Sequence, residues 1–171
     1  YKWLMSDTDL ENVRKDKRFE ILENNYFSKN DLKALALFTK AEEYYEKDKQ
    51  LLAAQYYEKA AKKEKKTIQI DSTFLKNRYA NAGLSYALSG KHKKSIKNYE
   101  KAIPYFNPLN DTRSLAVIHS MIATQYQDVN KIPEAKENRL IALNLYRSIN
   151  DSTAIGFEAS YIGMNYYYQD N

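Results

Sequence analysis

The chain has 171 residues, 43% of them hydrophobic and 29% charged, with a formal net charge of +5 and a pI near 9.1, so it holds enough apolar surface to build a core without staples. With no Cys there is no disulfide framework, thiolate metal site or cysteine nucleophile. Four Gly and three Pro against many Lys, Glu, Ala, Leu and Tyr describe an all-α chain of long helices with short connections.

Taken in chain order, apolar periodicity predicts helices over about 9–24, 32–47, 50–66, 72–89, 92–106, 112–129, 132–148 and 152–169. Asp31, Asp71, Asp111 and Asp151 recur every 40 residues, each just ahead of an apolar-patterned segment, where a helix N-cap is expected. Ala41, Gly83, Ala123 and Gly163 keep nearly the same step and are followed three residues on by Tyr44, Tyr86, Tyr126 and Tyr166. In the alternate helices Ala53, Ser95 and Ala135 form one small-residue column, and Ala60, Ala102 and Ala142 a second. Small residues at helix crossings let backbones approach closely. Tyr57 and Tyr99 fill between them, and Arg139 takes that place in the third unit, where a wetter contact is expected. Asp48, Gly90, Asn130 and Asp170 fall between paired helices, where a left-handed backbone is easiest for Gly, Asn or Asp. Pro133 suits a first helical turn, while Pro104 and Pro108 end the second unit's helix. Periodicity on this scale marks a solenoid, in which each unit hides its apolar face only by stacking on its neighbours.

The order small, aromatic, small, aromatic, Ala runs through Ala41, Tyr44, Ala53, Tyr57, Ala60, then Gly83, Tyr86, Ser95, Tyr99, Ala102, and in part through Ala123, Tyr126, Ala135, Ala142. This order resembles the tetratricopeptide repeat. The resemblance covers residues 32–171 and implies a right-handed α-solenoid of helix-turn-helix units at about 32–70, 71–110, 111–150 and a truncated 151–171. A step near 40, against the usual period of about 34, resembles the long-repeat branch found in bacterial peptide-sensing regulators and in the sensor arms of some bacterial signalling proteins. Residues 1–25 resemble the short closing segment that often ends such an array. Trp3, Leu10, Val13, Phe19 and Leu22 would then cover the end of a stack, and a further repeat block or domain is expected before Tyr1.

Chemistry-bearing patterns are sparse. His92 and His119 have no partner at metal-ligand spacing, and His119 reads as a packed histidine. There is no Gly-rich phosphate loop and no nucleophile elbow, so neither a catalytic residue nor a cofactor or metal is expected. The positive charge invites nucleic acid, but Lys59, Lys62, Lys63, Lys65 and Lys66, and then Lys91, Lys93, Lys94, Lys97 and Lys101, alternate with Glu58, Glu64 and Glu100 and read as solvated outer faces. The run Glu42, Glu43, Glu46, Asp48 reads the same way. No stretch approaches the roughly 20 apolar residues of a membrane span, and no secretion signal opens the chain, which leaves cytoplasm and periplasm open.

What remains is the face of the first helices turned away from their small-residue columns, the inner wall of a stack. On it the sequence places Phe38, Glu42 and Tyr45 in the first unit and Asn81 and Leu84 in the second. Ser120, Thr124 and Gln127 follow in the third, and Tyr161, Met164 and Tyr168 in the fourth. Aromatic ends around an amide and hydroxyl middle suit an extended peptide, whose backbone needs donors and acceptors and whose side chains need pockets. The expected function is a non-catalytic protein- or peptide-binding scaffold, part of a larger bacterial protein. The alternative is a sensor arm gating an attached DNA-binding or kinase domain. The family members that clamp acidic C-termini need Lys, Asn and Arg on this wall, and Phe38, Glu42, Ala80, Leu84, Ser120 and Thr124 do not supply them. An uncovered fourth unit also predicts self-association.

Overall fold

The computed structural model describes residues 29–65 and 72–169, with side chains over 30–65 and 72–164. The expected closing segment at 1–25, together with Asp71, Tyr166, Tyr168 and Asp170 as side chains, lies outside the described residues. Among the described residues seven α-helices follow one another: α1 (Lys29–Glu46), α2 (Gln50–Glu64), α3 (Ser72–Leu88), α4 (His92–Ala102), α5 (Thr112–Asp128), α6 (Ile132–Ser148) and α7 (Ser152–Gln169). Each packs chiefly on the helix before and the helix after it, which is the contact pattern of a solenoid. The fold is all-α, a stack of helical hairpins: α1 with α2, α3 with α4, α5 with α6, and α7 against α6.

The helix expected over 92–106 stops sooner. A 3-10 turn, Ile103–Tyr105, replaces its last turn because Pro104 has no N–H to give, and Phe106 N instead donates to Ile103 O at 3.1 Å. Contact from α4 to α5 is correspondingly thinner than between the other neighbours.

Small residues sit where the repeat pattern puts them. Ala41, Ala53, Ala60, Ala102, Ala123, Ala135 and Ala142 are completely buried. At Gly83 a Cβ would stand 2.6 Å from the Tyr99 ring, so only hydrogen lets α3 and α4 close. Gly163 differs: nothing lies within 4 Å of where its Cβ would be, so the close approach expected there has no partner among the described residues. Tyr57 and Tyr99 are buried between these columns as expected, and burial pushes the Tyr99 hydroxyl up to about 12.

Turn chemistry follows the sequence closely. Asp48, Gly90 and Asn130 all have positive φ, and the next amide in each case, Lys49, Lys91 and Lys131, donates 2.8 Å to the carbonyl of Tyr44, Tyr86 and Tyr126. The aromatic column therefore supplies the acceptor of each turn as well as a ring. Asn150, which the sequence did not single out, does the same between α6 and α7, where Asp151 N reaches Tyr146 O at 3.0 Å.

The aspartate ladder is corrected by the structure. Among the described residues of the ladder, Asp151 caps its helix, accepting Ala154 N on Oδ1 at 3.2 Å. Asp31 lies inside the first turn of α1, where its charge suits the helix dipole. Asp111 precedes α5 but makes no cap; its carboxylate accepts Asn107 N at 2.9 Å and takes Lys76 Nζ from α3 at 2.8 Å. Both bonds hold Asp111 below the usual carboxylate range, the Lys76 bond foremost.

Candidate functional site

The first helices α1, α3, α5 and α7 present the predicted wall unevenly. In α1, Phe38 is half-buried, its ring 5.6 Å from Tyr57 and 5.0 Å from the Arg78 guanidinium of α3. Glu42, also half-buried, accepts the Tyr57 hydroxyl proton; burial first, and then this carboxylate, raise that phenol. Tyr45, one turn further, is exposed. In α3, Asn81 and Leu84 are half-buried, Leu84 packing on the main core cluster, while Leu88 at the helix end is 57% exposed. In α5, Met121 and Thr124 are exposed, and the Thr124 hydroxyl donates to Ser120 O at 3.1 Å. In α7, Tyr161 and Met164 are exposed.

Ser120 and Gln127 are engaged by an internal network that spans α5, α6 and α7. Arg139 of α6, the apparent misfit in the Tyr57 and Tyr99 column, is 2% exposed. Its Nη1 lies 3.1 Å from Glu158 Oε2 of α7, its Nη2 donates to Gln127 Oε1 at 3.2 Å, and Tyr161 stacks over its guanidinium at 4.0 Å. Ser120 donates to the second Glu158 oxygen at 2.5 Å. The wetter contact expected at Arg139 is instead a dry ion pair, in which Arg139 Nε alone has no hydrogen-bond partner among the described residues. Arg78 repeats the theme between α2 and α3: its Nη2 is 3.2 Å from Glu64 Oε2, both groups are nearly inaccessible, and the guanidinium lies between Phe38 and Phe74. Sequence reasoning missed Arg78, Glu64 and Glu158 as structural residues. The signal was present, since five positions before the small residue the column reads Arg78, Ile118, Glu158, with two charges in a core position.

Four lysines of the second helices lie over aromatic faces. Lys59 Nζ lies 4.7 Å from the Tyr56 ring, Lys94 5.4 Å from Tyr86, and Lys65 5.6 Å from Tyr79. Lys101 bonds Glu58 at 3.2 Å. A hydrogen bond with Tyr105 holds the Lys65 ammonium above its ordinary value. Glu64, which the sequence set on the solvated face, is buried. The histidines tie helices together: His92 Nδ1 is 3.0 Å from Gln125 Oε1 of α5, and His119 Nδ1 is 3.0 Å from Asn138 Oδ1 of α6. Among the described residues no three His, Cys, Asp or Glu converge as a metal would need, and no helix is long and apolar enough to cross a membrane. A shallow depression of about 440 Å³ opens beside the α1–α2 turn, lined by Asp48, Gln50, Leu51, Leu52 and Leu88. It meets the predicted wall at Leu88.

No known family's sequence profile matches the chain, and no curated protein matches it. Similarity appears in three dimensions. BtubC (BKLC) from P. vanneervenii superposes with a TM-score of 0.64 at 18% identity, over 95% of this chain and 68% of that one. The N-terminal domain of stress-induced protein-1 (STI-1) from C. elegans superposes with a TM-score of 0.61 at 19% identity, over 78% of this chain and 97% of that one. At such identities the shared property is the fold, a TPR-like helical repeat.

Proposed function

We propose that this chain is a non-catalytic scaffold that binds an extended peptide or protein segment along the wall formed by α1, α3, α5 and α7. The observation that carries the reading is the row of accessible apolar side chains on successive first helices, Tyr45, Leu88, Met121, Tyr161 and Met164, with Thr124 and Asn81 between them. Monomeric proteins bury such rows unless they meet a partner. Phe38, Glu42, Leu84, Ser120 and Gln127 serve as the floor, held in place by the contacts described above, and Tyr168 belongs to the same wall by its position in sequence. The long repeat step favours membership of the bacterial long-repeat branch and a place within a larger protein, where the array could equally serve as a sensor arm for an attached output domain. Nucleic acid is disfavoured because Lys59, Lys65 and Lys94 lie over tyrosine rings and Lys101 is paired with Glu58, which leaves a smaller set of lysines for phosphate.

The test is selection of displayed twelve-residue peptides on the intact chain and on a Tyr45→Ser/Met121→Ser variant. Peptides that bind the former with micromolar affinity and at least about tenfold more weakly the latter support the wall as the site. Binders indifferent to both substitutions place recognition elsewhere.

A further inference from the structure

The charges of α1 are unevenly placed. At about 100° per residue, Asp31 and Glu42 share the face of Phe38 and Tyr45 with Glu46 at its edge, while Lys33 and Lys40 fall on the opposite side with Glu43 bordering them. The Lys40 ammonium bears this out, lying 5.3 Å from the Tyr56 ring of α2. Elsewhere on the wall the cations are held by carboxylates: Arg113 Nη2 lies 2.6 Å from Asp151 Oδ2, and Lys76 is bonded to Asp111. On a chain of net charge +5, the ligand-facing side is therefore acidic.

Two of these acids also break a local rule. Glu46 ends α1 and Asp128 ends α5, both exposed, and neither helix has a basic residue in its last turn. A carboxylate at a helix C-terminus opposes the helix dipole, which favours a cation there. His92 Nδ1 lies 3.4 Å from Asp128 Oδ2, a partner charged only when protonated.

Resting on the peptide-binding reading above, we propose that the ligand is a basic peptide. One Lys or Arg meets Glu46, a second meets Asp128, and an apolar residue between them meets Leu88 and Met121. Adjacent helices stand roughly 10 Å apart and an extended strand advances about 3.3 Å per residue, so the apolar residue follows the first cation by about three positions and the second cation by about six. The carboxylates give orientation and encounter rate, and the apolar row gives most of the affinity.

Fluorescence anisotropy with three labelled ten-residue peptides tests this. They share one apolar centre and carry Lys, Gln or Glu at the two flanking sites. The lysine peptide is expected to bind at least about tenfold tighter than the glutamate peptide, more weakly as salt rises, and a Glu46→Lys/Asp128→Lys protein is expected to reverse the order. Equal binding of all three, still lost in Tyr45→Ser/Met121→Ser, overturns the charge inference and leaves the peptide-binding reading standing. Binding of none overturns both.

Discussion

The junction between the first and second units and that between the third and fourth solve one packing problem with opposite charges. At the first, α3 brings Arg78 to a glutamate of α2; at the last, α7 brings Glu158 to an arginine of α6. The middle junction places Ile118 in the same column, packed with Phe106, Ile96 and Tyr99. What the repeat preserves is therefore the small-residue crossing, while the column five positions earlier accepts any filled volume whose partner changes with it. A buried pair adds little stability over an apolar one. The two pairs use different positions of the second helix: Arg139 stands in the Tyr57 and Tyr99 column, three residues before Ala142, while Glu64 stands four residues after Ala60.

Breaking one partner of either pair is expected to have the largest effect. Arg139→Leu leaves Glu158 buried without its cation, and Arg78→Leu does the same to Glu64, each costing about 3–5 kcal/mol in urea unfolding. The double change Arg139→Leu/Glu158→Leu should recover most of that loss. A single substitution costing under about 1 kcal/mol would show that the pair is hydrated.

The second and fourth units differ in a second, smaller way that glycine substitutions sharpen. Gly83→Ala forces a Cβ into the Tyr99 ring and is expected to lower stability by about 1–3 kcal/mol. Gly163→Ala meets open space and should raise it by up to about 1 kcal/mol through helix propensity alone. Equal effects at both would contradict the difference in packing.

Smallest is the response to acid, which should come from the rims of the inner junctions. Lys76 holds Asp111 below its ordinary 3.8; for Glu58 burial works against ionisation, but the Lys101 hydrogen bond and charge outweigh it and hold the group below 4.5. Groups with depressed pKa stabilise fully above their unfolded values and lose that contribution as pH falls through the folded ones. Thermal stability should therefore vary little on their account between pH 7 and 5 and fall below about pH 4. Asp111→Asn should lower the neutral-pH plateau slightly and flatten the acid limb; an unchanged limb counts against the assignment.

Much of this was legible in the amino-acid order. Helix starts and ends were readable to within a few residues because Gly, Asn and Asp at the left-handed turns, and Pro near helix ends, impose local backbone rules that tertiary context does not override. The Ala41, Gly83, Ala123 column was readable because a crossing tolerates no larger side chain. The aspartates misled, since a carboxylate ahead of a helix can cap it, as Asp151 does, or reach another unit, as Asp111 does, and only the neighbouring chain decides.

The candidate wall divides in the same way. Periodicity alone named the face, and the acids of α1 were on it from the start. That Ser120 and Gln127 are spent on Glu158 and Arg139, and that Phe38 covers the Arg78 guanidinium, depended on side chains from helices about 12 to 40 residues away. Local sequence sets which way each helix faces, because that follows from a fixed 3.6-residue turn. Which polar groups remain for a ligand is set by long-range pairing, because a buried charge takes whatever partner the fold brings to it.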